Sequence, residues 1–301
     1  PRNRSRPRAT PLKYRHAFHA GNFADVHKHV VLLALLRALQ RKEKGCFFLD
    51  THAGRGRYAL DRGDALASSE SRFGAARLLT ALRDAEARRL ATPELVDYAT
   101  VIEAWRRSAG APHDYPGSPL IAAHVLRAQD HGVAVEAQPA EFEALRKALG
   151  RGARIQAEHA DGYQRLRAHL PPAERRGLVL IDPPYEDTRG DFRAAASAIQ
   201  DALERFATSV VALWYPIKDR RDTDRWHAGF AQQITRPTIA VELWMHPTDS
   251  RAGLNGSGLV IVNPPYRFAD RCGAWQKELL RHLAAGTDAG SRIVSLVGEN
   301  R

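Results

Sequence analysis

Short apolar segments alternate with amphipathic ones from about residue 115 onward, and this alternation constrains the fold more than any other feature. The apolar segments are five to eight residues long and rich in Val, Ile and Leu, which is typical of strands buried on both faces. Residues 140–149 and 192–206 lie between them and have helical spacing. The pattern therefore predicts a doubly wound, mostly parallel α/β sheet. Seven strands are expected, at 46–50, 132–136, 153–158, 177–182, 209–215, 238–245 and 257–263.

The stretch at 62–111 and the two ends of the chain depart from this alternation. Only a loop separates the last two predicted strands, so we expect an antiparallel hairpin at one edge of the sheet. Residues 62–111 contain no strand-like run and are rich in Ala, Arg and Leu, which predicts a small helical insertion. Residues 1–13 are basic and without periodicity, and we expect a flexible extension. Residues 14–61 and 112–301 then form the α/β domain.

The charge of the chain narrows the class of partner. Its 301 residues carry a net charge of +11, which favours a polyanionic partner, and nucleic acid is the first candidate. No segment is long and apolar enough to cross a bilayer, so no membrane partner is expected. The only two cysteines, Cys46 and Cys272, argue against a disulfide scaffold and favour a reducing, cytoplasmic setting.

Histidines cluster near the N-terminus, and a metal site has to be considered there. The cluster consists of His16, His19, His27 and His29. No cysteine accompanies them, and His27 and His29 point to different sides of a helix. We therefore expect no metal.

Acidic or polar residues follow four successive strands of the predicted sheet. They are Asp50, Thr51, His52, Glu136, Glu158, Asp161 and Asp182. Ligands of such sheets bind beyond the carboxyl ends of the strands. Glu136 is placed to accept from both ribose hydroxyls of a nucleoside cofactor, and Asp161 from an adenine amino group. The turn THAGRGRY at 51–58 lacks the G-x-G-x-x-G fingerprint of dinucleotide binding, so S-adenosylmethionine is favoured over NAD.

The fourth strand ends in IDPPYE, at 181–186, which combines a carboxylate, a rigid backbone and an aromatic ring. The amino group of adenine is a poor nucleophile because its lone pair is delocalised into the ring. Acceptors on its two hydrogens, the Asp182 carboxylate and the Pro183 carbonyl, make the nitrogen more tetrahedral. Tyr185 can stack on a base that has left its helix. Positioning and electrostatics then assist methyl transfer.

A near-duplicate of this motif, LVIVNPPYRF at 259–268, ends the last predicted strand. Its Asn263 could serve the same chemistry, because an amide oxygen also accepts hydrogen bonds. We prefer Asp182, since its strand is adjacent to the first strand in the usual methyltransferase sheet. The second copy is interpreted as a strand terminus, and a place near the substrate is left open.

Four segments, 14–29, 49–58, 115–119 and 181–186, resemble the RlmJ family. These bacterial methyltransferases place an N6-methyl group on one adenine of 23S ribosomal RNA. The resemblance implies a Rossmann-like class I methyltransferase fold, S-adenosyl-L-methionine as the cofactor and S-adenosyl-L-homocysteine as its product. It also implies 23S rRNA as the partner, free or in early assembly intermediates, and we expect a monomer.

The resemblance also assigns roles to individual residues. The cofactor is held by Lys28, His29, His52, Ser118, Glu136, Asp161, Gly162 and Asp182. Asp182 is the catalytic acceptor, with Pro183 and Tyr185 beside it. Tyr14 and Tyr185 are expected to contact the RNA substrate.

Two rival functions stay open at this point. The first is the same chemistry on DNA, because nothing in the tetrapeptide motif separates the two nucleic acids. The second is a non-catalytic nucleic-acid-binding protein linked to DNA uptake or utilisation, a role that has also been connected with the family.

Overall fold

A computed structural model of the chain describes residues 19–61, 70–185, 188–247, 253–284 and 286–298. The strands are β1 (Phe47–Asp50), β2 (Arg57–Ala59), β3 (Asp114–Pro116), β4 (His131–Glu136), β5 (Ile155–His159), β6 (Gly177–Ile181), β7 (Val210–Ile217), β8 (Thr238–Trp244), β9 (Gly256–Val262) and β10 (Gly290–Val297). The helices are α1 (Phe23–Gln40), α2 (Glu70–Phe73), α3 (Ala75–Ala81), α4 (Ala85–Leu90), α5 (Pro93–Ser108), α6 (Ser118–Val125), α7 (Pro139–Leu149), α8 (Gly162–His169), α9 (Thr188–Arg205), α10 (Arg220–Ala231) and α11 (Phe268–Leu283).

The main sheet has eight strands in the order β10-β8-β9-β7-β6-β1-β4-β5. The pairs β6–β7, β6–β1, β1–β4 and β4–β5 are parallel, whereas β7–β9, β9–β8 and β8–β10 are antiparallel. The prediction of a mostly parallel, Rossmann-like class I methyltransferase sheet with an antiparallel edge is confirmed. The predicted hairpin of β8 and β9 is present, and β9 lies between β7 and β8.

The count of seven strands is one too few, because β10 escaped prediction. This strand has the sequence GSRIVSLV, which mixes polar and apolar residues, and it forms the edge of the sheet beyond β8. Seven of its eight residues are half-buried and one is exposed, and its sequence lacks the continuous apolar run that marked the other strands. A second, two-stranded sheet of β2 and β3 was also missed, since three residues per strand leave no pattern to detect.

Helices cover both faces of the main sheet and enclose two apolar cores. One core joins the sheet to α1, α3, α5, α6 and α11. The other joins it to α8, α9 and α10. Helix α1 is buried along most of its length, from Ala24 to Leu36, and Asn22 caps its N-terminus by accepting from the backbone N–H groups of Ala24 and Asp25. Its polar first turns are therefore held rigidly next to the sheet.

The described part of the predicted insertion, 70–111, consists of α2 to α5. Helices α3 and α5 share the first core with α1, so the insertion packs directly onto the α/β domain. Its separation as a subdomain stays a prediction. The extension at 1–13 and Tyr14 lie outside the described residues, as do residues 62–69 of the insertion.

Within the described ranges, no helix is long and apolar enough to span a bilayer. The same ranges contain no group of three or more His, Cys, Asp or Glu side chains arranged to hold a metal ion. His19, from the N-terminal cluster, forms an ion pair with Glu70, 3.0 Å away.

Candidate active site

The carboxyl ends of the parallel strands β1, β4, β5 and β6 meet at one rim of the sheet. Asp50 ends β1 and Glu136 ends β4, while Asp161 and Asp182 follow β5 and β6. The predicted set of strand-end carboxylates is thus brought to a common rim. Helix α1, which packs on one face of the sheet, contributes a cationic lysine to this rim.

Lys28 is the cation, and it bridges two carboxylates. Its Nζ donates to Asp182 Oδ2 at 2.6 Å and lies 3.0 Å from Asp25 Oδ1. The side chains of Lys28, Asp25 and Asp182 are only 5%, 3% and 13% exposed. Burial by itself would lower the pKa of Lys28, but the two carboxylates outweigh it and the pKa is raised. Lys28 is therefore a permanent ammonium group beside the predicted catalytic residue, and Asp25, which the sequence analysis missed, holds its other side.

A second buried carboxylate, Asp50, lies next to this ion pair. Ser118 Oγ donates to Asp50 Oδ2 at 2.6 Å, and the backbone N–H of His52 donates to Asp50 Oδ1 at 3.3 Å. Burial raises the pKa of Asp50 to about 7, and the nearby charge of Asp182 acts in the same direction. Asp50 was noted as a strand end but not chosen as a site residue. Its contact with Ser118, at the start of α6, is what connects it to the predicted set.

The glycine turn after β1 is held by Glu136. The backbone N–H of Gly54 donates to Glu136 Oε2 at 2.9 Å, and that of Gln138 donates to Oε1 at 2.7 Å. Gly54 and Gly56 have φ angles of +61° and +75°, the left-handed region that favours glycine. Burial raises the pKa of Glu136. The turn and the carboxylate predicted to bind a ribose thus form one unit, and each oxygen retains a further acceptor position.

His52 lies at the same rim as a neutral imidazole. Thr51 Oγ1 donates to the Leu180 carbonyl at 3.1 Å, so His52 Nδ1, 2.8 Å away, carries the hydrogen that Thr51 Oγ1 accepts. Burial lowers the pKa of His52 to about 4. The edge of its ring contacts Tyr163, with ring centroids 4.9 Å apart. The buried hydroxyl of Tyr163 has no hydrogen-bond partner among the described residues.

Asp161 and Gly162 form the N-terminus of α8. Asp161 Oδ1 accepts from the backbone N–H of Gln164 at 2.9 Å and caps the helix, and its side chain is exposed. A Cβ on Gly162 would lie 1.9 Å from the Thr51 carbonyl oxygen. The absence of a side chain therefore lets α8 approach β1 at the rim.

His29 is a predicted site residue that forms a hydrogen bond away from Asp182. Its Nδ1 lies 2.7 Å from the hydroxyl of Tyr115, which is itself 3.0 Å from the hydroxyl of Tyr98. All three side chains are buried. His29 is thus linked to Tyr115 of β3 and, through it, to Tyr98 of α5. The preceding residue, Lys28, lies on a different side of α1 and contacts Asp182.

The tip that follows β6 has an unusual backbone. Tyr185 has a φ of +51°, a left-handed conformation that costs a non-glycine residue about 1–3 kcal/mol. Its hydroxyl donates to the carbonyl of Trp214 at 2.7 Å, and its ring packs 4.9 Å from that of Phe192. The side chain is 5% exposed. Tyr185 therefore pins the tip to β7, and its contact with a base stays a prediction.

The second Pro-Pro-Tyr lies at the opposite rim. Because β9 is antiparallel to β7, Val262 is paired with Val211 at the beginning of β7. Asn263 Nδ2 donates to the carbonyls of Ala207 and Ser209 at 3.0 and 2.8 Å. The copy is thus a strand terminus, as interpreted from the sequence, and it lies away from the first motif. A place near the RNA substrate stays a prediction.

Comparisons with known proteins agree with this architecture. The family model described as "Ribosomal RNA large subunit methyltransferase D, RlmJ" matches residues 43–296. Two relatives are named Ribosomal RNA large subunit methyltransferase J. The Haemophilus influenzae protein is 38% identical over 272 residues, 90% of this chain and 92% of the relative. The Escherichia coli protein is 41% identical over 257 residues, 85% of this chain and 89% of the relative.

A solved structure supports the same assignment. The crystal structure of a Legionella pneumophila protein is similar with a TM-score of 0.81 and 32% sequence identity, and the match covers 92% of this chain and 98% of that one. The family model covers well over half of the chain, and both relatives exceed 30% identity along most of their length. The chain therefore belongs to the Ribosomal RNA large subunit methyltransferase D, RlmJ, family.

Proposed function

We propose that this protein transfers a methyl group from S-adenosylmethionine to the N6 atom of one adenine in 23S rRNA. The observation that carries the proposal is the tip of β6, where the Asp182 carboxylate and the Pro183 carbonyl follow one another at the rim and Lys28 contacts the carboxylate. The name of the two relatives supplies the large-subunit RNA as the substrate.

The two acceptors at the tip explain how a weak nucleophile is activated. When Asp182 and the Pro183 carbonyl accept the two amino hydrogens, the nitrogen lone pair is withdrawn from the ring and becomes available. Lys28 Nζ donates to Asp182 Oδ2 at 2.6 Å and so holds the carboxylate in place. A carboxylate offers about four acceptor positions, so Asp182 can contact Lys28 and the amino group together. Asp182 is also the base nearest to the proton that the nitrogen loses after transfer.

The other rim residues fit an adenosyl cofactor. S-adenosylmethionine supplies an electrophilic methyl group when it is bound. We propose that Glu136 accepts from its ribose hydroxyls and that Asp161 and Gly162 lie at its adenine. The observation that supports a ligand here is the buried Tyr163 hydroxyl, which has no hydrogen-bond partner among the described residues although it adjoins His52.

The remaining predicted cofactor residues are assigned by what they contact. Ser118 and His52 both bind Asp50 and lie with it on the cofactor side of the rim. We assign Lys28 to Asp182 instead. For His29 the contribution is indirect, through Tyr115.

The proposal is tested with Asp182→Ala and tritiated S-adenosylmethionine. The substrate is rRNA from a strain that lacks the gene. We expect the wild type to label 23S rRNA, with N6-methyladenosine identified by mass spectrometry, and the variant to be at least about 100-fold slower. Binding of S-adenosylhomocysteine, measured by calorimetry, should persist in the variant. Tyr266→Ala, in the second Pro-Pro-Tyr and 83% exposed, is the control and should keep full activity.

The same assay separates the two rival functions. Strong labelling of duplex DNA with none in protein-free 23S rRNA would favour a DNA methyltransferase. Rescue of the deletion phenotype by Asp182→Ala, to the same extent as by the wild type, would favour a non-catalytic role. Full activity of Asp182→Ala on rRNA would contradict the mechanism.

The proposal extends to the oligomeric state, the location and the form of the substrate. We propose a cytoplasmic monomer that acts on 23S rRNA, free or in early assembly particles. Light scattering measures the oligomeric state, and the rate on protein-free rRNA compared with that on assembled subunits identifies the preferred substrate. RNA affinity should fall with salt, because contacts to phosphates release counterions.

A further inference from the structure

Trp214 lies on β7, next to the tip of β6 that carries Asp182. It is the one half-buried residue of β7, in which the other seven residues are buried. The register pairs Ile181 of β6 with Leu213 of β7, so the next residues, Asp182 and Trp214, are neighbours across the two strands. The indole therefore borders the space in front of the catalytic carboxylate.

Lys28 gives a measure of how close the indole is to the chemistry. Its Nζ lies 5.8 Å from the centroid of the Trp214 ring and 2.6 Å from Asp182 Oδ2. The ring centre and that oxygen are thus separated by no more than these two distances combined. Stacked or tilted aromatic rings have centroids roughly 4.5–7 Å apart, so a base whose amino group reaches Asp182 can also contact the indole.

The orientation of the indole is fixed by a buried polar chain. Trp214 Nε1 donates to Ser257 Oγ at 2.9 Å, and His27 Nδ1 lies 3.0 Å from the same oxygen. Gln276 Nε2 lies 3.4 Å from His27 Nε2. Burial lowers the pKa of His27 to about 3, so the imidazole is neutral. An amide nitrogen can only donate, hence His27 Nε2 accepts and His27 Nδ1 donates to Ser257, which receives two hydrogen bonds and holds the ring in one orientation.

Tyr185, the ring expected from sequence to stack on the base, is placed differently. Its ring lies between those of Phe192 and Trp214, and its hydroxyl is bound to the backbone of β7. Trp214 is half-buried whereas Tyr185 is 5% exposed, and the Trp214 ring centroid lies 5.8 Å from Lys28 Nζ.

We propose that Trp214 is the ring against which the target adenine packs, and that the buried chain of Ser257, His27 and Gln276 is a positioning device for it. The proposal rests on the proposed function, because it presumes that an adenine enters this site. Indole and adenine both have extended π faces, and stacking of a base on an aromatic side chain is tolerant of its neighbours in the RNA. Tyr185 then stabilises the tip of β6 through its hydrogen bond to the backbone of β7.

Direct contact is tested by fluorescence. Adenosine is titrated into the enzyme saturated with S-adenosylhomocysteine, and the emission of its five tryptophans is followed. Stacking on Trp214 should quench part of this emission, and Trp214→Phe should remove the quenching. Trp244→Phe is the matched control, because Trp244 is also half-buried and ends β8 under Arg220, 4.5 Å away. Absence of quenching in the wild type, or quenching that survives in Trp214→Phe, overturns the proposal.

Kinetics on rRNA then separate this inference from the function itself. Trp214→Leu should lower kcat/KM by about 5- to 150-fold, whereas Trp214→Phe, which keeps an aromatic face, should lose much less. Ser257→Ala should raise the KM for RNA, because the indole is no longer held. Thermal unfolding and S-adenosylhomocysteine affinity show that the variants are folded. If the wild type is active and Trp214→Leu is equally active, the inference about Trp214 is contradicted and the proposed function is not. If the wild type is inactive on rRNA, the proposed function itself is contradicted.

Discussion

Lys28→Met tests the charge arrangement of the site, because it removes the ammonium group that bridges Asp25 and Asp182 and keeps a side chain of similar length. At an effective dielectric constant of about 20, two unit charges roughly 3 Å apart attract by about 6 kcal/mol. The cost of burying all three groups opposes this attraction. Removing one member leaves two nearly buried carboxylates 3.0 and 2.6 Å from the former Nζ position without a counter-charge. Such a truncation costs about 3–5 kcal/mol.

The same variant should also lose activity, because the contact that it removes holds the Asp182 carboxylate. Lys28 Nζ donates to Asp182 Oδ2 at 2.6 Å, and without this donor the carboxylate is less well positioned to accept the amino hydrogens. Methyl transfer by Lys28→Met should therefore be slower than in the wild type. Single-turnover assays with saturating rRNA and cofactor measure the difference.

The stability is measured by urea unfolding, with a control on the same helix. Arg37→Met removes a cation from the Arg37–Asp97 pair, whose contact of 2.9 Å is partly exposed to water, so the loss should be below about 1 kcal/mol. The double variant Asp25→Asn/Lys28→Met should recover part of the loss, because one of the two orphaned charges is removed. If Lys28→Met unfolds within about 1 kcal/mol of the wild type, the buried bridge does not exist.

Three further predictions concern individual groups. Asp50 has a pKa of about 7 in the folded protein and ordinarily one of 3.8. Between these values the unfolded chain is ionised and the folded one protonated, so the wild type should lose about 1.4 kcal/mol of stability per pH unit, as pH rises from 4 to 7, relative to Asp50→Asn in urea titrations. Gly162→Ala places a Cβ 1.9 Å from the Thr51 carbonyl oxygen; we expect a loss of about 1–3 kcal/mol by urea unfolding and weaker S-adenosylhomocysteine binding by calorimetry. Arg292→Met removes the ion-pair partner of the buried Glu242 and should lower the unfolding free energy by about 3 kcal/mol, detected as an earlier thermal transition.

Most strands of the parallel half were predictable because β1, β4, β6 and β7 are buried along nearly their whole length. Such strands appear in the sequence as continuous apolar runs. Strand β10 carries no such run, since one of its sides has no neighbouring strand and its residues are half-buried. The absence of an apolar run, rather than any weakness of the pairing with β8, is why β10 was missed.

The site was predictable as far as topology places strand ends together. Glu136 and Asp182 follow from the rule that ligands bind beyond the carboxyl ends of parallel strands. The contact of Lys28 with Asp182 joins residues 154 positions apart, and no spacing in the sequence encodes it. Trp214 could not be predicted for a similar reason. In the sequence it belongs to an apolar strand and resembles a core residue, and only the register of β6 and β7 shows that it is a neighbour of Asp182.

The direction of β9 places the two Pro-Pro-Tyr sequences at opposite rims of the sheet. Asn263→Asp would create a second Asp-Pro-Pro-Tyr sequence, but at the rim where the Asn263 amide nitrogen donates to the carbonyls of Ala207 and Ser209. Under the proposed mechanism, such a change should not complement Asp182→Ala. A sequence search that scores the tetrapeptide without the direction of its strand would therefore count two candidate sites where the proposed mechanism uses one.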